Sequence, residues 1–336
     1  MTLFLRGEDV VALATDELVM GAARAAVAAE RDGRTILPAR LDLDHRSGFL
    51  RVMPAAVDGL VGLKVMTLAK GLGTRYLVLL YDAASGELLA MVDADEITRL
   101  RTAATTALAG SLLAPGATTA LALIGSGFEA EGHLRLFASV WPLERVLVYS
   151  RSPTRRAAFA ARMAGELGID VRPAGSMEEA VAGASVSVLA TKSSEPVVEG
   201  RAFPAGAVVL SVGSTRPDLR ELDRESLRRA VVLLVDDVAA VCAESGDIID
   251  ALETQALPRE RIVAMSALAE TPVPDGDRDL RVFKSVGTAV HDIALAAAVI
   301  ARARERGVGR DLGEITRLKP FAELVLDAPA GVPSTT

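Results

Sequence analysis

TALALIGSGFEAEGHLRLF, residues 119–137, decides the fold. An apolar strand runs into Gly125-Ser126-Gly127-Phe128-Glu129-Ala130, and a helix follows. This is G-x-G-x-x-A in the setting that gives the pattern meaning. Gly125 permits a tight turn, Gly127 lets the backbone approach a pyrophosphate, and Ala130 lets the helix pack close to the strand. The first amides of the helix then face the phosphates. Downstream, TTALALI, RVLVYS, SVSVLA, AVVLSV and AVVLLV alternate with helical segments, and RVFKSVG reads as a last strand before a long apolar helix. Continuous apolar strands are buried on both faces, so the sheet is parallel.

The preceding half has another texture. Residues 8–31 carry apolar positions at helical spacing and predict one helix. Between 34 and 93, short apolar runs (ILPARLDL, FLRVMPA, LVGLKVMTL, YLVLLYD, LLAMVD) are separated by HRSG, DG and ASGE, the pattern of an antiparallel or mixed sheet. Residues 95–113 return to helix, with Asp95 as a candidate N-cap, and Pro115-Gly116 marks a boundary. The expected organisation is α/β: a Rossmann domain, 116–292, inserted in an α+β substrate-binding and dimerisation domain, 1–115 plus 293–330. Residues 244–280 show no regular pattern, and the tail 327–336 is expected to fray.

Half of the 336 residues are apolar and only 4% are aromatic, so the core is built from Ala, Val and Leu. A net charge of −7 argues against nucleic acid as a partner. The single cysteine, Cys242, excludes an internal disulfide and fits a reducing, cytoplasmic setting. The charged start MTLFLRGEDV does not read as a signal peptide, and charges interrupt every Ala-rich run, so no membrane span is expected. Three scattered histidines and one cysteine lack metal-ligand spacing, so no metal is expected.

The second strand of the nucleotide unit ends in VLVYSRSPTRR. An acid there would bond a ribose 2′-hydroxyl. Ser150, Arg151, Ser152, Arg155 and Arg156 stand there instead, and guanidinium groups suit a 2′-phosphate. NADP(H) is therefore the expected cofactor, with NAD(H) the alternative. Arg155 and Arg156 also read as a solvated helix start. Three cations stand out earlier: Arg40 in TILPARLDL, Lys64 in LVGLKVMT and Arg101 before an Ala-rich helix run. A lysine in an apolar strand is costly without a partner. Each cation could simply pair with an acid such as Asp42 or Asp93. Together they suit an anionic substrate.

LPAR (37–40), MP (53–54), GLK (62–64), SGELLAMVDADEITRLRTAA (85–104), GSGFEA (125–130), VGSTRPDLREL (212–222), ESGD (244–247) and FKSVGTAVHD (283–292) occur in one order along the chain. In this order they resemble the ornithine cyclodeaminase/mu-crystallin family. The resemblance implies that Arg40 and Arg101 bind a substrate carboxylate and that Lys64 lies beside the reacting carbon. Met53, Glu244 and Lys284 would border the substrate. Thr74, Thr102, Thr191, Val212, Ser214 and Ser285 would join the glycine loop and Ser150, Arg151, Ser152 and Arg155 at the cofactor. It also implies a homodimer.

In cyclodeaminases the loop after the fourth Rossmann strand reads roughly G-A-D-x-x-G-K-x-E-L, and its Asp handles the substrate amine. Here Thr215 takes that place. Cyclodeamination must deprotonate an amine, for which a carboxylate base is useful. Reduction of a preformed imine needs only a hydride and one proton, which Lys64 or a water held by Thr215 could supply. The expected activity is thus NADPH-dependent reduction of a cyclic 2-imino acid, such as pyrroline-2-carboxylate or piperideine-2-carboxylate. Ornithine or lysine cyclodeamination, another amino-acid dehydrogenase reaction, and non-catalytic NADPH-dependent ligand binding are the alternatives.

Overall fold

The computed structural model describes residues 2–114, 116–268, 279–316 and 318–319. Pro115 of the expected boundary and the tail 327–336 lie outside them. The first part contains β1 (Leu3–Leu5), α1 (Gly7–Leu13), α2 (Asp16–Arg31), β2 (Thr35–Ile36), β3 (Leu41–His45), β4 (Gly48–Val57), β5 (Leu60–Ala69), β6 (Gly73–Asp82), β7 (Leu88–Asp93) and α3 (Asp95–Leu113). The helix expected over 8–31 is two helices. Thr15 is extended and its hydroxyl accepts from the Leu18 amide, an N-cap that restarts the helix. The N-cap of α3 is Ala94, which puts Asp95 in the first turn, where its charge still suits the helix dipole.

β8 (Ala120–Ile124), α4 (Phe128–Val140), β9 (Arg145–Tyr149), α5 (Pro153–Leu167), β10 (Asp170–Pro173), α6 (Met177–Ala182), β11 (Val186–Leu189) and β12 (Val208–Ser211) follow. The chain continues through α7 (Arg224–Arg229), β13 (Ala230–Val235), α8 (Val238–Glu244), α9 (Gly246–Glu253), β14 (Ile262–Ala264), β15 (Leu280–Lys284), α10 (Ala289–Arg306) and β16 (Arg310–Asp311). Of residues 244–280, without a sequence pattern, 246–253 form a short helix and 262–264 an edge strand, and 269–278 lie outside the described residues. Residues 292 and 293 lie inside α10, three residues beyond its start.

These strands make two sheets. One has the order β10-β9-β8-β11-β12-β15-β13-β14 with every pair parallel, the doubly wound arrangement that the glycine motif implies. Its order reverses beside β8, which places a crevice at the C-terminal ends of β8 and β11. The other runs β16-β1-β7-β6-β5-β4-β2, with β3 also on β4, and is antiparallel except where β1 meets β7. Every strand of this sheet precedes residue 94 or follows residue 309.

Asp58-Gly59 joins β4 to β5 with φ of 49° and 80°, the two left-handed positions of a tight hairpin. That turn pairs Val57 with Leu60 and so sets Met53 opposite Lys64, which β6 then pairs with Val78. Met53, Ala55, Val57, Val78 and Leu80 pack against α10 and α2 in one core. Lys64 falls on this inner face, 2% exposed. The opposite face, with Val52, Pro54, Ala56, Leu63 and Val65, is only half-buried, and Leu41, Leu43 and Val61 are exposed.

Gly62, two residues before Lys64, lets α10 approach. A Cβ there would lie 2.3 Å from Ile293 Cδ1 and 2.8 Å from the Leu79 carbonyl oxygen. Gly62→Ala is predicted to cost about 1–3 kcal/mol of stability through overpacking. Chemical denaturation checks this, and dinucleotide affinity, which belongs to the other sheet, should hold.

Candidate active site

Asp292, on the first turn of α10, has no exposed surface. Lys64 Nζ lies 3.0 Å from its Oδ1 and 2.9 Å from its Oδ2, and Arg101 Nε donates to Oδ1 at 2.9 Å. One carboxylate therefore pairs with two buried cations. Burial would raise the Asp292 pKa, but the charges of Arg101 and Lys64 outweigh it and hold the group below its ordinary value. Burial pulls Lys64 down to about 8, with Asp292 opposing. The ammonium also donates to Thr98 Oγ1 at 3.3 Å and sits 5.6 Å from the centre of the Tyr76 ring.

Arg101 reaches Asp292 through Nε alone. Among the described residues its two terminal nitrogens make no hydrogen bond. They lie against Gly287, where a Cβ would be 2.7 Å from NH1. Arg40 reaches the same residue from the loop between β2 and β3, where Pro38 removes a ladder donor. It donates to the Gly287 carbonyl at 2.8 Å and pairs through Nε with Glu244 Oε1 at 2.8 Å. Burial lowers its pKa, but a guanidinium stays charged. The three cations chosen from the sequence thus lie together, paired with acids from distant segments. The local acids proposed for them have other roles: Asp42 faces Arg51 across the β3–β4 ladder and binds it bidentately, and Asp93 is exposed at the end of β7.

A cleft of about 240 Å³ opens beside Arg40, lined by Arg40, Asp42, Arg51, Thr215, Pro217 and Glu244. Glu244 Oε2 is buried without a partner among the described residues, and burial raises the pKa of the group. Met53 is the cross-strand neighbour of Lys64, and Thr74 lies further along the same face of β6. A larger surface groove of about 400 Å³ runs past Arg220, Arg224 and Asp250, whose ion pairs are solvated. None of the expected site residues lines it.

Lys284 is not at the cleft. It is fully buried, donates to Ser211 Oγ at 2.9 Å and pairs with Asp247 at 3.0 Å. Asp247 also accepts from Ser214 Oγ and from the amides of Glu221 and Leu222. Glu221 in turn accepts from the amide and hydroxyl of Thr191, from Ser211 Oγ and from the Gly213 amide. This network fixes the loops after β11 and β12. The side chains of Thr191 and Ser214 serve it, while Val212 is buried at its backbone. Ser285 Oγ donates to Asp236, and Thr102 Oγ1 donates to the Thr98 carbonyl. His291 is buried against Thr105 and pushed down to about 4 by burial, so it is neutral.

At the crevice, Gly125 has φ +136° and no room for a Cβ, which would lie 2.5 Å from the Ala190 oxygen. Nothing stands within 4 Å of the Gly127 Cβ position, and no side chain caps α4. Ser126 Oγ donates to Ser150 Oγ at 2.9 Å, joining the glycine loop to β9. Arg156 lies over Tyr149 and donates to the Ser150 carbonyl, Ser152 caps α5, and Arg151 and Arg155 are exposed. Phe128 stacks with Arg99. Glu129 Oε2 is buried with no partner among the described residues. Burial raises the Glu129 pKa against the charges of Arg101 and Lys64, which places α4 next to the cation cluster. The first-turn amides of α4 and the open space over Gly127 suit a dinucleotide with its pyrophosphate there, and the orphaned Glu129 oxygen suits a donor such as a hydroxyl rather than a phosphate.

Residues 1–307 match the model of the ornithine cyclodeaminase/mu-crystallin family. The chain belongs to this family. The ketimine reductase mu-crystallin of Mus musculus is 36% identical over 275 residues, 79% of this chain and 83% of that protein. A delta(1)-pyrroline-2-carboxylate reductase of Bacillus cereus is 31% identical over 295 residues, 82% and 89% of the two chains. The solved Thermococcus litoralis delta(1)-pyrroline-2-carboxylate reductase, in complex with NADH and L-proline, has a TM-score of 0.87 and 30% identity, covering 92% of this chain and all of that one. The family and fold implied by the motif order are borne out.

Among the described residues, no helix is long and apolar enough to cross a membrane, and no group of three or more His, Cys, Asp and Glu side chains could hold a metal ion.

A lysine held at about 8, below its unfolded value of 10.5, binds its proton less tightly folded than unfolded. The folded state is penalised at neutral pH, and the penalty fades as the pH rises from about 8 to 10.5. Lys64→Met should remove this rise, so the stability difference between variant and wild type should change by up to about 3 kcal/mol across that window. Denaturation at pH 7, 9 and 10.5 reads it.

Proposed function

We propose that the protein reduces cyclic 2-imino acids, such as pyrroline-2-carboxylate and piperideine-2-carboxylate, with NADPH as the preferred cofactor. The observation that carries this reading is the pair of terminal nitrogens on Arg101, unbonded among the described residues and facing Gly287 beside Arg40 and Lys64. A carboxylate suits two such guanidinium groups. The bound nicotinamide supplies the hydride. The chain's residues hold the substrate and manage one proton. Arg40 and Arg101 clamp the carboxylate, and Lys64 donates a proton to the imine nitrogen as C2 receives the hydride. With a pKa of about 8, Lys64 is mostly protonated at neutral pH yet acidic enough to give the proton up. Thr215, in the cleft with Arg40, holds a water rather than acting as a base, which disfavours cyclodeamination. The names of the mouse, Bacillus and Thermococcus proteins support imine reduction.

The preference for NADPH rests on Arg151 and Arg155, exposed beside Ser150, and on the lack of an acid at the end of β9. The half-buried outer face of the antiparallel sheet, with Leu41, Leu43 and Val61, supports a homodimer that covers it. Light scattering should give twice the chain mass, and Leu43→Lys should lower it.

Oxidation of NADPH with freshly prepared pyrroline-2-carboxylate tests the reading. Arg40→Ala and Arg101→Ala should each lower kcat/KM about 100-fold. Arg151→Ala should weaken NADPH about tenfold while sparing NADH. Ammonia release from ornithine or lysine, without imine reduction, would contradict it.

A further inference from the structure

Between β15 and α10 the chain makes a short turn, Ser285-Val286-Gly287-Thr288, and both arginines rest on it. Beneath it lies Asp236, at the end of β13 and 5% exposed. Asp236 Oδ2 accepts from Ser285 Oγ and from the Gly287 amide, each at 2.6 Å. Oδ1 accepts from the Val286 amide at 3.4 Å and from the Asp237 amide at 3.1 Å. Three of these four donors belong to the turn, so one carboxylate sets its path.

The other side of the turn faces the cations. The Val286 carbonyl accepts from Arg40 at 3.4 Å and the Gly287 carbonyl at 2.8 Å. Gly287 has φ +79°, and its missing Cβ is the space that the Arg101 guanidinium occupies. A shift of the turn would therefore move the seat of Arg40 and the wall behind Arg101 together. We infer that Asp236 is a positioning residue of the carboxylate clamp, holding the turn that sets the spacing of the two arginines. It acts through Arg40 and Arg101 and touches no substrate atom. The inference rests on the clamp reading above.

A carboxylate is needed there. Both oxygens face donors, so an amide in either orientation would point N–H at N–H or at a hydroxyl proton. Asp236→Asn keeps the volume and breaks this arrangement. The probe is L-proline, the product expected from pyrroline-2-carboxylate, titrated by calorimetry into protein saturated with NADP+. Asp236→Asn should raise the L-proline Kd and the imine KM about tenfold, the order of one or two charge-assisted hydrogen bonds, with kcat changed less than about threefold. NADPH affinity should hold. Ser285→Ala, which removes one donor, should act in the same direction and less strongly, and it carries the test should Asp236→Asn not fold. Combined with Arg40→Lys, Asp236→Asn should add less than its single effect, because both act on one contact. An unchanged L-proline Kd in Asp236→Asn and Ser285→Ala, or effects that multiply with Arg40→Lys, would overturn the inference. Unchanged L-proline binding in Arg40→Lys alone would instead overturn the clamp reading on which it rests.

Discussion

The carboxylate of Asp292 pairs with two buried cations, Lys64 and Arg101, and the architecture around it serves that pairing. A buried ammonium and a buried guanidinium this close would repel each other, and neither could be desolvated without a counter-charge. Sharing one carboxylate keeps Lys64 protonated at neutral pH and leaves the outer nitrogens of Arg101 without a partner among the described residues. The three groups come from β5, α3 and α10. The site therefore exists only when the antiparallel sheet, the helix that leaves it and the last helix have assembled. Gly62 serves this assembly by letting α10 come close enough for Asp292 to reach Lys64.

The parallel sheet carries a second network built on the same principle. Asp247 and Glu221 gather backbone amides, hydroxyls and the Lys284 ammonium beneath the loops after β11 and β12. A loop of polar residues at the rim of a cofactor crevice would otherwise leave many donors without partners. Here the buried charges compensate each other and hold Thr215 out toward Arg40. The absence of an acid at the loop tip then has a structural reading. Asp247 and Glu221 lie below the loop as supports, Asp218 is exposed and paired with Arg216, and Thr215 presents a neutral hydroxyl to the cleft.

Much of the fold was legible because periodicity is a local property. Apolar runs, each closed by a turn signal, marked six of the eight parallel strands, G-x-G-x-x-A fixed which of those came first, and β10 and β14 were missed because runs of four and three residues are too short to show a pattern. The single helix expected at 8–31 is interrupted because Thr15 takes extended backbone and caps a new helix, a local choice that apolar periodicity does not report. Arg40, Lys64 and Arg101 were visible as cations in apolar surroundings. Their partners were not, because Asp292 lies 228 residues from Lys64 and 191 from Arg101, and pairing over such separations leaves no local pattern. An acid beside His291 at the start of the last helix, within the 283–292 stretch, was the available signal. Lys284 shows the converse: a lysine at a strand end looks like a ligand-binding group until Asp247 is found beneath it. Asp236 carried no sequence signal, and Glu221 appeared only as part of the 212–222 stretch, since the amides and hydroxyls they gather come from separate segments.

The central claim is that Asp292 holds a carboxylate-binding cation pair. The most direct measurement is L-proline binding to the NADP+-loaded protein, compared between wild type and Asp292→Asn, with NADPH affinity measured alongside. The account predicts that L-proline binding falls at least about tenfold in the variant, through displacement of Arg101 and neutralisation of Lys64, while NADPH binding persists. Equal L-proline affinity in the two proteins would contradict it.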